Sequence, residues 1–245
     1  MTLLPLIWLF ALTPVGGELS GNILISSDAL GYDLQYRVYL PAGADSTDAL
    51  PALYVFDGQW YIDEGRMHET LDSLIERSRI EPVIVVFVDN RAPENLRLNR
   101  RNGQFFCNPR YIRFFTDELV PAVDAAWPTR AAADARSVLG LSFGGLAAAC
   151  FGLHAHDTFS GIAMQSPAMH PVPSMWDAWA DSSRLPVRIF LSSGDYNDNE
   201  ARTRRLRDIL SKKRYEMQYV EVPFAHNWMN WRPLLDDVLL FLYGD

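Results

Sequence analysis

A chain of 245 residues, 49% hydrophobic and 21% charged, has room for one domain with a sizeable core and little room for two. That balance excludes a disordered or coiled-coil chain. The formal charge of −8 speaks against a nucleic-acid surface, which needs a net basic face.

In chain order, Leu3 to Leu12 comes first, an apolar run of export-leader length and far too short for a membrane span. The small and breaker residues Thr13-Pro14-Val15-Gly16-Gly17 follow, although no Lys or Arg precedes the run. Residues 1–17 are read as a leader of a periplasmic or secreted protein. The competing reading is a cytoplasmic chain whose N-terminus packs on the domain. No later segment could span a bilayer, and a single domain is expected over 18–245.

Ile23 to Ser26 and Leu34 to Leu40 read as strands, the second by its alternation of Leu34, Tyr36, Val38 and Leu40. Leu53 to Phe56 is a short buried strand stopped by Asp57-Gly58. A helix over about Glu64 to Arg79 precedes the unbroken apolar strand Val83 to Val88. The long segment Asp89 to Arg110 reads as a loop, and Tyr111 to Ala125 has helical spacing. Strands at Ser137–Leu141, Gly161–Met164, Val187–Leu191 and Met217–Val222 then alternate with helices at Gly144–Leu153, Ala201–Leu210 and Leu234–Leu242. Such alternation predicts an α/β fold with a mostly parallel central sheet of about eight strands and helices on both faces. Chemistry in these folds sits on loops at the carboxyl ends of the strands.

The cysteines lie in different settings. Cys107 falls in a polar stretch, and Cys150 in an Ala-rich run where a small buried hydrophobe is expected. A disulfide between them is possible but not suggested, so cysteine usage leaves the compartment open.

After the strand Ser137–Leu141 comes Gly140-Leu141-Ser142-Phe143-Gly144, a G-x-S-x-G elbow with a strand before it and a small-residue helix after it. A serine on so sharp a turn projects its hydroxyl as a nucleophile. Of five histidines, His226 alone follows the last strand, where this architecture puts the base. His68, His154, His156 and His170 are read as surface or structural. The acid is expected after Val187–Leu191, where Asp195, Asp198 and Glu200 compete; Asp198 is favoured, with Asp195 the alternative. Oxyanion donors are expected at the N–H groups of Phe143 and Gln59, with Gly58 allowing close approach of the backbone to the substrate.

Leu53-Tyr54-Val55-Phe56-Asp57-Gly58-Gln59, Asp117-Glu118-Leu119-Val120-Pro121, the elbow and His226-Asn227-Trp228-Met229-Asn230-Trp231-Arg232 stand in one order. In that set the chain, from about Gly21 onward, resembles the putative esterase family of α/β-hydrolases. This family includes esterase D, the enterochelin (catecholate-siderophore) esterases and feruloyl esterases. The resemblance implies an α/β-hydrolase fold and a serine esterase acting on a small-molecule ester, without a metal or organic cofactor. It also implies a compact stand-alone or exported form, without the extra N-terminal domain of the larger cytoplasmic siderophore esterases. Two departures stand out: Ala225 where relatives often have glycine, and Asn197 where they commonly carry the acid. Either Asp198 takes over after a loop shift, or a Ser142/His226 dyad operates.

The arginines of the 89–110 loop, Arg97 among them, together with Trp60, Trp228 and Trp231, suit an anionic aromatic acyl group such as a catecholate-siderophore ester. Two other functions share the scaffold: an acyltransferase, and a non-catalytic binding protein. Oligomeric state is not legible.

Overall fold

The computed structural model describes residues 16–45 and 47–244, so residues 1–15 of the expected leader lie outside the described residues. The described strands are β1 (Glu18–Leu19), β2 (Ile23–Ser27), β3 (Tyr32–Leu40), β4 (Ala52–Val55), β5 (Ile84–Asp89), β6 (Arg91–Ala92), β7 (Asn95–Asn99), β8 (Arg136–Leu141), β9 (Gly161–Gln165), β10 (Arg188–Gly194) and β11 (Glu216–Val222). Nine of them form one sheet in the order β1-β3-β5-β4-β8-β9-β10-β11, with β2 also on β3. From β5 to β11 every neighbour is parallel, while β3 runs antiparallel to β5.

The central strands are buried along their whole length because alternate side chains enter two cores. In β4, Ala52 and Tyr54 belong to one core and Leu53 and Val55 to the other; Ile84, Val86 and Val88 of β5 likewise oppose Val85 and Phe87. The helices are α1 (Gly58–Asp63), α2 (Met67–Glu76), α3 (Arg101–Phe105), α4 (Pro109–Arg113), α5 (Val120–Ala126), α6 (Phe143–His154), α7 (Ser174–Asp181), α8 (Glu200–Lys212), α9 (Trp228–Trp231) and α10 (Leu235–Tyr243). Side chains of α1, α2, α9 and α10 close one core, and those of α3 to α8 the other. The sheet is thus covered on both faces, as expected.

The helix predicted over Tyr111–Ala125 is interrupted by a π-helical turn, Phe114–Leu119, between α4 and α5. Its cause is Pro121, whose ring clashes with the carbonyl four residues back in a regular α-helix. Ile112, Phe115, Leu119 and Val123 are buried nonetheless.

Two expectations are corrected. The segment after β5 is not a plain loop: β6 and β7 pair as a hairpin, followed by α3. All five residues of β7 are exposed, so no burial period marked it in the sequence. Cys107 and Cys150 form a disulfide, with Cα atoms 5.4 Å apart, joining the α3–α4 turn to the middle of α6. Cys107 adopts a left-handed conformation, φ 53°, which turns a residue from a polar stretch inward.

Candidate active site

Ser142 sits between β8 and α6 with φ 55° and ψ −116°, a region that L-residues rarely adopt. The turn closes only over glycine: a Cβ on Gly140 would lie 2.3 Å from the backbone of Gly144. Main-chain bonds fix it from the next strand, since Ser142 N–H donates to the Gln165 carbonyl at 2.9 Å and Ala168 N–H to the Ser142 carbonyl at 2.9 Å.

His226 follows β11, and its Nε2 lies 2.8 Å from Ser142 Oγ. Its Nδ1 is hydrogen-bonded to Asp198 Oδ1, and the Asp198 side chain is fully buried. The structure therefore brings Ser142, His226 and Asp198 into one chain of hydrogen bonds. Asp195 is elsewhere, exposed to solvent with its N–H on the Val222 carbonyl. The reason lies at Asn197, whose left-handed conformation (φ 48°) swings the next residue back towards the imidazole. Burial alone would push the Asp198 carboxyl up. Hydrogen bonds from His226, Ser166 and Gly194 N–H outweigh burial and hold it at about 2.

Three residues support this carboxylate, a role that was not read from the sequence for any of them. Ser166 Oγ donates to Asp198 Oδ2 at 2.6 Å, and Asn230 Nδ2 donates to the same oxygen at 2.9 Å. Trp231 Nε1 donates in turn to Ser166 Oγ at 2.9 Å. The signal was available for Ser166, which directly follows β9 at the same sheet end as the other site residues.

Phe143 is the first residue of α6 and Gln59 the second of α1, so neither N–H has an acceptor within its own helix. Gly58 is also required by packing: a Cβ there would lie 2.4 Å from the main-chain carbon of Phe87, so glycine lets this loop lie against β5. Beneath the loop, Asp57 is paired side-on with Arg101 at 2.9–3.0 Å and receives Asn90 Nδ2 at 3.0 Å. Burial pushes the Asp57 carboxyl up to about 6, against the pull of Arg101 and Asn90.

A cavity of about 310 Å³ opens at Ser142, lined by Phe143, Ala168, His170, Asn197 and His226 among others. None of the predicted substrate residues Trp60, Arg97, Trp228 and Trp231 lines it. Trp231 is only 6% exposed and stands edge-on behind the His226 ring, 4.8 Å between centroids. Trp228 packs on Tyr61 and Trp231, while Trp60 lies under the Arg101 guanidinium. Arg97 is exposed on β7. The neighbouring arginines are engaged locally: Arg91 with Asp89, Arg100 with Glu94 and the Tyr32 ring, Arg110 with the Ala29 carbonyl. His170, read as surface or structural, is exposed and lines the cavity, its ring 5.6 Å from that of Phe143.

Sequence comparison matches residues 27–242 to the family described as "Putative esterase". The iron(III) salmochelin esterase of Escherichia coli O6:H1 is 31% identical over 248 residues, 94% of this chain and 59% of that protein. Among solved structures, the enterobactin esterase of Shigella flexneri superposes with a TM-score of 0.80 at 24% identity, over 91% of this chain and 58% of that one. A ferulic acid esterase superposes with a TM-score of 0.82 at 18% identity, over 93% and 98%. The chain thus spans somewhat under three-fifths of the length of the siderophore-esterase relatives, and about the whole of the ferulic acid esterase.

Proposed function

The chain belongs to the putative esterase family, and on that premise we propose that it hydrolyses carboxylic esters through an acyl-enzyme on Ser142. The observation that carries this reading is the contact of Ser142 Oγ with His226 Nε2 at 2.8 Å, backed by the buried Asp198 on Nδ1. Ser142 Oγ attacks the ester carbonyl carbon while Nε2 takes the hydroxyl proton. Asp198, anionic throughout the neutral range, holds the ring in the tautomer that leaves Nε2 free and stabilises the imidazolium that forms. The N–H groups of Phe143 and Gln59 receive the developing oxyanion. Collapse expels the alcohol with the proton from Nε2. Water then attacks the acyl carbon, gives a proton to His226, and releases the acid as Oγ is reprotonated.

The substrate class is an aromatic ester. Phe143 and His170 form an aromatic wall to the cavity of about 310 Å³ at Ser142, a surface suited to an aromatic ring. The names of the relatives, salmochelin, enterobactin and ferulic acid esterases, support the same class. The Cys107–Cys150 disulfide supports an oxidising compartment, in keeping with export. Labelling with a fluorophosphonate probe tests the mechanism: one equivalent on Ser142, mapped by peptide mass, is the expected result. No labelling, or labelling elsewhere, contradicts it.

A further inference from the structure

Arg101 bridges two parts of the site that come from distant stretches of chain. Its Nε and Nη2 clasp both oxygens of Asp57 at 2.9–3.0 Å, and Nη2 also donates to the Leu141 carbonyl at 3.2 Å. Asp57, in a left-handed conformation (φ 55°), directly precedes Gly58 and Gln59, and Leu141 directly precedes Ser142. The same guanidinium lies 5.0 Å from the Phe143 ring centroid and 5.2 Å from that of Trp60. Asn90 extends the cluster, bonding Asp57 Oδ1 through its Nδ2 and the Gln59 amide through its Oδ1, each at 3.0 Å. The pair is nearly sealed, with side-chain exposures of 12% for Arg101 and 0% for Asp57.

A buried ion pair is weak as a stabilising device, because desolvation cancels much of its attraction. Its geometry is another matter. Two parallel N–H···O bonds fix distance and angle together, and lysine cannot reproduce that fork. A displacement of about 1 Å in a catalytic group costs on the order of 10²-fold in rate. We propose that Arg101 is a positioning residue that sets the spacing between the Gln59 and Phe143 N–H donors by tying the α1 loop to the elbow. This rests on the esterase reading above, since the donors matter only if an oxyanion forms between them. It differs from a role in substrate binding, because Arg101 is spent on Asp57 and Leu141 and does not line the cavity.

The test compares full-length wild type, Arg101→Met, Arg101→Lys and the double variant Asp57→Asn/Arg101→Met on p-nitrophenyl butyrate. Amide hydrogen exchange is followed over residues 56–61 and 140–146. The expected result for Arg101→Met is a kcat about 10²-fold lower with KM within about threefold. Arg101→Lys should recover part of the loss. The double variant leaves no unpaired buried charge, so it should regain stability but stay slow, with faster exchange in both segments. This double variant also decides the matter if Arg101→Met fails to fold. Wild-type kcat in the double variant, or in Arg101→Met, would overturn the proposal. If wild type itself hydrolyses no ester, the esterase reading falls instead. The exchange data then decide alone: faster exchange in both segments upholds the tie, and unchanged exchange overturns it.

Discussion

The main-chain carbonyl of Asn197 accepts the N–H of His226 at 3.3 Å, joining the acid loop to the base loop one residue before the carboxylate. The family resemblance read from the sequence would put the acid at the position of Asn197. Here that residue takes a left-handed turn and anchors the histidine backbone, and the next side chain, Asp198, reaches the ring.

Asp198→Asn should therefore lower kcat by about 10³- to 10⁴-fold, by favouring the wrong tautomer of His226. Asp195→Asn should change it by less than about twofold, as an exposed charge off the site. Steady-state kinetics of the two variants side by side check this, and equal losses would contradict it.

Asp198 also predicts a pH dependence of stability. Its folded pKa, about 2, lies below its unfolded value of 3.8, so its contribution is complete above about pH 4 and is lost as pH falls through about 2. Urea midpoints of wild type and Asp198→Asn should differ most above pH 4 and converge towards pH 2. A constant difference across that range would show that the carboxylate is not held in its charged form.

The disulfide closes a span of 43 residues, and loop-closure entropy assigns such a crosslink about 4 kcal/mol. The Cys107→Ala/Cys150→Ala variant should be less stable by roughly 2–4 kcal/mol in urea unfolding. A loss of similar size should follow reduction of the wild type with dithiothreitol, and no loss in either would mean that the bridge does not form.

His170→Ala removes an aromatic and polar wall of the cavity without touching Ser142 or His226. KM for aromatic esters should rise about 3- to 10-fold, in line with one ring–ring contact, with kcat changed less. Measuring benzoate-type against acetate esters separates the effect, since acetate should be nearly indifferent.

Sequence periodicity placed the central strands and main helices because burial on both faces leaves an unbroken apolar mark, as at Ile84 to Val88. Ser142 and His226 were legible for a topological reason: strand-end loops of a parallel sheet carry chemistry, and Ser142 directly follows β8 while His226 lies in the loop after β11. The choice of Asp198 over Asp195 depends on the backbone angle at Asn197, which no side-chain pattern records. The residues predicted to bind substrate fell away from the cavity at Ser142 because charge was counted without its partners. Arg91, Arg100, Arg101 and Arg110, among the loop arginines expected to suit an anionic acyl group, are tied to Asp89, Glu94, Asp57 and the Ala29 carbonyl. The β6–β7 hairpin and the disulfide escaped for a related reason, since each depends on contacts between segments rather than on a local period.

The central claim, that Ser142 carries the reaction, is tested most directly by hydrolysis of p-nitrophenyl acetate and butyrate by wild type and Ser142→Ala. The account predicts measurable turnover by wild type and a kcat lower by about 10⁴-fold or more in the variant, which should keep its fold by circular dichroism. Turnover retained in Ser142→Ala would contradict it.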